Sequence, residues 1–440
     1  MTETLRFPAG FLWGAATAAH QVEGDNRNNQ WWAWEQQPGH IWGGDRSGQA
    51  CGWWQPGGAE QDLDLAAELG HTTHRLSVEW SRIEPSEGVF SAEAIARYRQ
   101  ILSAMRQRGI EPMVTLHHFT DPLWVTRAGG WENPATIERF RRYVRYTVGE
   151  LGDLVRLWCT INEPNIYASF GYLLGEFPPG RHDFIAWLRV LNHLLRAHAA
   201  AYRTIHQLDG RAQVGLAHHI AIFEPANPAS LRDRLAAAVQ DALFNNISLC
   251  APHDGIIRFP VGDHFVYGPL VDSQDFIGVN FYVLYRVRFD PHCARRGFAR
   301  YLFEPGAPLT DLKSDGEPYS ALAPHGFYRA LMRAARFGKP IYVTENGCPD
   351  AADRLRPRLL TTYLPEMHRA LAHGADIRGY YHWTLVDNFE WAQGWKLRFG
   401  LIAMDEKTGQ RQIRPSARLY AEIARTNALR PANIVAGAAA

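Results

Sequence analysis

Long hydrophobic runs are missing from this chain of 440 residues. No apolar stretch approaches the roughly 20 residues of a membrane-crossing helix, so helical spans are not expected. Cysteine is scarce as well. The five present, Cys51, Cys159, Cys250, Cys293 and Cys348, are odd in number and far apart. With no CxxC pair among them, neither a disulfide framework nor a cysteine-based metal site is implied. An excess of either charge is absent too: 46 basic residues face 45 acidic ones, which argues against nucleic acid or an anionic membrane as partner. Met1–Pro8 lacks a basic segment followed by an apolar one, so no signal peptide is expected and a reduced, cytoplasmic protein is the default. Linkers, low-complexity runs and charge blocks are missing, which implies one domain over residues 1–440 with a frayed tail at Ala436–Ala440. What the chain has in quantity is aromatic: 15 Trp, 17 Tyr and 21 Phe. Beyond filling a core, such rings suit ligands with apolar C–H faces and polar rims, of which sugars are the commonest.

Two stretches carry the chemistry. Ile341-Tyr342-Val343-Thr344 ends in Glu345-Asn346-Gly347, and Leu157-Trp158-Cys159-Thr160-Ile161 ends in Asn162-Glu163-Pro164. Each is a short apolar run that stops at a carboxylate, the pattern of a buried strand delivering a side chain to its C-terminal end. Six further segments read as strands: Phe11–Thr17, Thr73–Trp80, Glu111–His117, Gln213–Ala217, Phe276–Val279 and Ile377–Tyr381. Helical patterns alternate with them, at Ala59–Leu69, Ser91–Arg108, Pro134–Leu151, Phe184–Leu208, Ser230–Leu249, Pro324–Phe337, Arg358–His373 and Ser416–Thr426. Strands alternating with helices imply parallel pairing. Eight such units predict an α/β fold, a (β/α)8 TIM barrel with elaborated loops at its C-terminal mouth. Val283–Glu317 reads as irregular, with room for a small insertion.

In such a barrel His118, Asn162, Glu163, Asn280, Tyr282, Glu345 and Trp383, all at strand ends, converge on one pocket. Two glutamates there are the minimum equipment for breaking a glycosidic bond: one carboxyl protonates the leaving oxygen while the other, ionised, attacks. Plainer readings exist, since Glu-Pro also marks strand-to-helix junctions and Asn-Gly is a turn signal. His117-His118 and His218-His219 hint at metal, but adjacent strand residues point to opposite faces, and no HxH or HExxH spacing is present. No metal and no cofactor are expected. Cys348 reads as a buried, inert thiol. Arg75, a guanidinium in an apolar strand, needs a partner and near the site would keep a carboxylate ionised, or else serve a structural ion pair elsewhere in the barrel.

The sequence also resembles a known family. Phe11-Leu12-Trp13-Gly14-Ala15-Ala16-Thr17-Ala18-Ala19-His20-Gln21-Val22-Glu23-Gly24 resembles the N-terminal signature of family 1 glycoside hydrolases, the β-glucosidase family. Thr160–Pro164 is similar to its acid/base motif, Thr344–Gly347 to its nucleophile motif, and Trp383–Trp391 to its sugar-binding segment. The matches run in order from residue 7 to about residue 420. The resemblance implies Glu345 as nucleophile and Glu163 as acid, then base. It implies Asn162 on the sugar 2-hydroxyl, Arg75 and Tyr282 beside the nucleophile, and Asn280 nearby. Gln21, His118, Glu390 and Trp391 would hold outer hydroxyls, Trp383 would lie under the ring, and Phe399 would close the pocket.

Family members acting on 6-phosphorylated sugars typically carry Ser, Lys and Tyr at the positions of Glu390, Leu397 and Phe399. This chain has none of them, which implies a non-phosphorylated substrate. Phe119 and Asn165 also depart from common family residues and leave the aglycone preference open. The expected activity is that of a retaining, exo-acting β-glucosidase on a small-molecule or oligosaccharide β-glycoside. A β-galactosidase, β-fucosidase or transglycosylase with the same pair is the alternative, and a non-catalytic sugar-binding barrel a remoter one. Retention predicts carboxyl groups about 5–5.5 Å apart, with Glu163 raised and Glu345 low in pKa.

Overall fold

The computed structural model describes residues 3–433; the Ala436–Ala440 tail lies outside them. All eight expected strands form: β1 (Leu12–Ala16), β2 (Thr73–Ser77), β3 (Glu111–His117), β4 (Leu157–Asn162), β5 (Gln213–His219), β6 (Phe276–Phe281), β7 (Ile341–Asn346) and β8 (Ile377–Trp383). They close into one barrel in chain order, each parallel to its neighbours. The reason lies in burial. Every residue of β2, β4, β6 and β7 is buried, because one face fills the barrel interior and the other meets the surrounding helices. Among those helices, Ala92–Gln107, Phe184–Leu208 and Leu231–Asp241 start at Ser91, Asp183 and Ser230, whose side chains accept from backbone N–H groups of the first turn.

Three segments differ from expectation. β2 stops at Ser77 rather than running to Trp80, which opens the short helix Trp80–Ile83. The chain leaves the sheet there because the Glu79 carboxylate gathers donors from Asn26, Ser81 and Thr120, at 2.7 to 2.9 Å. The helix expected at Ser230–Leu249 widens into a π turn at Ala242–Asn246 and then continues as Ile247–Asp254. That turn brings the Asn245 amide onto both backbone groups of Ala221. The region read as irregular contains the strands Leu284–Phe289 and Ala299–Leu302. With Ile222–Pro225 they form a three-stranded sheet outside the barrel.

The tip of β7 is held close to β8. A Cβ at Gly347 would lie 2.0 Å from the Trp383 carbonyl oxygen and 3.0 Å from its carbon, both backbone atoms that have little freedom to yield. Gly347→Ala should therefore destabilise the protein by about 1–3 kcal/mol, as overpacking does. A lowered urea midpoint, with activity impaired in the remaining folded protein, is the expected result. An unchanged midpoint would show that the two tips tolerate separation.

Candidate active site

A cavity of about 740 Å³ opens at the C-terminal ends of the strands. Of the residues expected there, His118, Asn162, Glu163 and Tyr282 line it, as do Glu345, Trp383, Glu390 and Trp391. Four others stand behind the wall: Arg75, Asn280, Gln21 and Phe399. Arg75 touches Glu345, Asn280 touches Glu163 and Gln21 touches Glu390.

Glu345 ends β7, and both its oxygens receive donors. Arg75 reaches from β2 and places Nη1 2.5 Å from Oε1, while the Tyr282 hydroxyl donates to Oε2 at 2.7 Å. The other guanidinium nitrogens are engaged as well: Nη2 donates to Asn162 Oδ1 at 2.6 Å and Nε to Thr115 Oγ1 at 3.0 Å. A fully hydrogen-bonded fork is what makes a buried guanidinium tolerable. Burial, with the Glu345 charge beside it, holds the Tyr282 phenol well above its ordinary pKa, so it donates without ionising.

Glu163 follows β4 in a left-handed conformation, φ 44° and ψ 63°, and caps the short helix Pro164–Ala168. Pro164 at the first helical position suits that start, since no N–H is needed there. The Glu163 backbone N–H is anchored on the Ala217 carbonyl of β5 at 2.8 Å. Its side chain is used unevenly. Oε1 takes both contacts, Asn280 Nδ2 at 2.7 Å and His219 Nδ1 at 3.1 Å, whereas Oε2 has no partner among the described residues. Glu345 is thus arranged to hold a charge on two stabilised oxygens, and Glu163 keeps one oxygen free.

Asn280 links the two. Across the barrel sheet it sits opposite His219 on β5 and opposite Glu345 on β7. Its Nδ2 also donates to Asn162 Oδ1 at 3.1 Å, and its Oδ1 accepts from Thr344 at 2.6 Å. Asn162 in turn directs Nδ2 to His118 Nε2 at 3.2 Å. His118 therefore accepts there. Burial, with Arg75 and His117 nearby, pushes its pKa well down and keeps the ring neutral.

The carboxyl groups crowd one another. Burial pushes Glu345 up to about 7; Arg75 works against this, and the Glu163 charge adds to it. The expected low value for Glu345 is thus overturned, because desolvation outweighs the guanidinium. Glu390 is pushed up to about 8 by burial, with the charges of Glu345 and Glu163 contributing. The protonation of Glu390 is thereby linked to that of Glu345.

The remaining wall is aromatic. Trp383 and Trp391 both lie near-parallel to the His118 ring, with centroids 5.8 and 5.9 Å from it. Gln21 reaches Glu390 Oε2 at 3.2 Å from behind the lining. Phe399, expected to close the pocket, instead packs edge-on behind Tyr282 and Tyr319. Tyr319 is the residue that lines the cavity at that point. Of the histidine pairs, one member of each faces inward: His117 bonds Asp121 and His218 bonds Gln274, both buried, while His118 and His219 line the cavity. No group of three potential metal ligands occurs among the described residues. Burial pushes the Cys348 thiol up to about 12, which leaves it unreactive.

His219 and Tyr319 were missed from the sequence. His219 stands one strand from Glu163 in a segment weighed only for metal, and a lone Tyr319 in a loop gives no signal. Asn165, one of the departures, does not face the cavity: its amide holds the His219 and Phe244 carbonyls at 3.0 and 3.1 Å.

Comparisons with known proteins place the chain in a family. The profile of Glycosyl hydrolase family 1 matches residues 3–253 and 266–429. A β-galactosidase from Pyrococcus woesei is 30% identical, over 96% of this chain and 97% of its own. The solved β-glycosidase from Pyrococcus horikoshii superposes with a TM-score of 0.89 at 36% identity, covering 99% of this chain and 98% of that one. The β-glucosidase from Thermotoga maritima in complex with glucoimidazole gives 0.87 at 28% identity, over 96% and 100%. With a closed eight-stranded barrel, glutamates at two strand tips and a family match along nearly the whole chain, this protein belongs to glycosyl hydrolase family 1 and is a glycoside hydrolase.

Proposed function

We propose that the protein is a retaining, exo-acting β-glycosidase that releases glucose from non-phosphorylated β-glucosides, and that it works in a reducing, cytoplasmic setting. The observation that carries the mechanism is the unequal use of the two carboxyls. Glu345, with Arg75 on one oxygen and Tyr282 on the other, attacks the anomeric carbon. Glu163, with Oε2 free, gives its proton to the departing oxygen. Asn162 Nδ2 is the donor for the sugar 2-hydroxyl, and Trp383 forms the floor beneath the ring. Formation of the glycosyl ester removes the Glu345 charge. Glu163, left as a carboxylate by its proton transfer, takes a proton from water as the water oxygen bonds the anomeric carbon and the ester bond to Glu345 breaks. The sugar leaves with its original configuration. Glu390, backed by Gln21, presents a carboxyl group to the outer hydroxyls and offers no counter-charge to a phosphate. Five free cysteines agree with a reducing compartment.

Because the Thermotoga relative is named a β-glucosidase and the Pyrococcus woesei relative a β-galactosidase, a β-galactoside is the second reading. Comparing kcat/KM for aryl β-glucoside and aryl β-galactoside separates them.

Removing the acid tests the assignment. Glu163→Gln should slow β-glucosides with poor leaving groups by about 10²–10⁴-fold, the usual weight of general acid catalysis. Activated aryl glucosides should lose far less in their first step. Equal losses on both would remove Glu163 from the acid role.

The pH profile follows from the crowding. The nucleophile must be ionised, and Glu345 is raised to about 7, so activity should fall as pH drops through that region. The Glu163 charge contributes to that rise, so in Glu163→Gln the acidic limb, measured on an activated aryl glucoside, should move to lower pH. A limb that stays in place would sever the coupling between the two carboxyls.

Stereochemistry decides retention. An NMR time course of β-glucoside hydrolysis should show β-glucose first, with α-glucose appearing only by mutarotation. Initial release of α-glucose would require the inverting geometry, with carboxyls about 6.5–9.5 Å apart.

A further inference from the structure

The cavity is larger than one sugar ring fills, and its two ends differ in chemistry. At the strand tips, polar atoms are available: Glu163 Oε2 and the buried His118 Nδ1, which have no hydrogen-bond partner among the described residues. Outward from Glu163 runs a ladder of rings. His219, bonded to Glu163, meets the edge of Phe244 at 5.5 Å; Phe244 meets Phe223 at 5.6 Å, and Phe223 meets Tyr301 at 5.8 Å. Tyr301 stacks on Tyr285 at 4.5 Å. All five rings line the cavity. Facing pieces of the wall come from the two π turns, Ser169–Leu174 and Ala242–Asn246, which contribute Phe170 and Leu243.

Several of the polar atoms along this wall are already engaged with one another. The Tyr301 hydroxyl donates to Gln240 Oε1 at 2.6 Å, and Gln240 Nε2 donates to the Arg296 carbonyl at 2.8 Å. Trp187 Nε1 donates to Ser169 Oγ at 3.2 Å, and the Asn165 amide is held by the His219 and Phe244 carbonyls. Of the charged side chains, Arg296 and Glu176 are exposed, at the rim rather than among the rings, and Lys313 is paired with Asp315 at 2.8 Å. A second sugar lying against these rings would meet few free partners for its hydroxyls, an unfavourable exchange for each one left unpaired. Alkyl or aryl carbon placed there leaves water and meets apolar surface.

We infer that the leaving group this enzyme is built to accept is an uncharged apolar alcohol or phenol, alkyl or aryl, rather than another sugar. The inference rests on the β-glucosidase reading above and specifies its substrate class. It is tested by measuring kcat/KM on the full chain for methyl, butyl, hexyl and octyl β-glucosides, an aryl β-glucoside, cellobiose and cellotriose. Along the alkyl series kcat/KM should climb by up to about fourfold per buried methylene, and octyl β-glucoside should exceed both cello-oligosaccharides by at least about tenfold. Leu243→Gln and Phe170→Gln, each placing an amide on the wall, should cut the octyl-to-methyl ratio several-fold. That ratio is insensitive to a loss of folded protein. Cello-oligosaccharides that match or exceed octyl β-glucoside, or a ratio unmoved in both variants, would overturn the inference while leaving the glucosidase reading intact. Failure to cleave any glucoside, the aryl one included, would overturn the glucosidase reading itself and the inference with it.

Discussion

The structure depends on one buried cation. Arg75 is almost fully enclosed, and a guanidinium out of water is tolerable only when its donors are met. Its partners come from three other strands: Thr115 on β3, Asn162 on β4 and Glu345 on β7. The planar fork has one geometry in which all are satisfied at once, and that geometry fixes where the nucleophile and the sugar-binding amide stand relative to each other. Burial works against the charge, but Glu345 prevails and holds the arginine above its ordinary pKa. Fold and chemistry are joined here, since the contact that makes the cation acceptable inside the barrel also aims Glu345.

From that anchor the network spreads through amides. Asn162 passes order to His118, and Asn280 passes it to Glu163 and to Thr344 beside the nucleophile. Neither amide titrates, so proton movement is confined to the carboxyls. Preorganised dipoles of this kind need little rearrangement when charge shifts during reaction. The strain at Glu163, a non-glycine residue in the left-handed region, belongs to the same arrangement. Of order 1–3 kcal/mol of backbone energy is held in place by the anchored N–H and the proline that follows.

How much of this could be read from the sequence differs by element. The barrel was legible because its strands are short apolar runs that end in polar residues, and both glutamates sit at such ends. Arg75 was legible by contrast with its apolar surroundings. Glu390, Gln21 and Phe399 were reachable only through the resemblance, which gave their neighbourhood but not the fact that Gln21 and Phe399 stand behind the lining. His219 lay beyond the sequence because its partner is on the adjacent strand, and register is a property of the folded sheet. The rise of Glu345 had the same cause. Its charge partner was readable, but the extent of its burial depends on everything packed above it. The three-stranded sheet was obscured by arginines within its strands, which pair outward, as Arg286 does with Glu224.

The position of that sheet has a consequence for how such an enzyme diversifies. The reacting carboxyls and their supports stand on barrel strands or directly after them, where a change threatens closure of the whole fold. The outer rings stand on excursions between strands, on a small sheet and two widened turns that the barrel does not need in order to close. Selection can therefore rewrite what is attached to the sugar while the bond-breaking machinery stays untouched. The two halves of the substrate are recognised by parts of the chain that can evolve at different speeds.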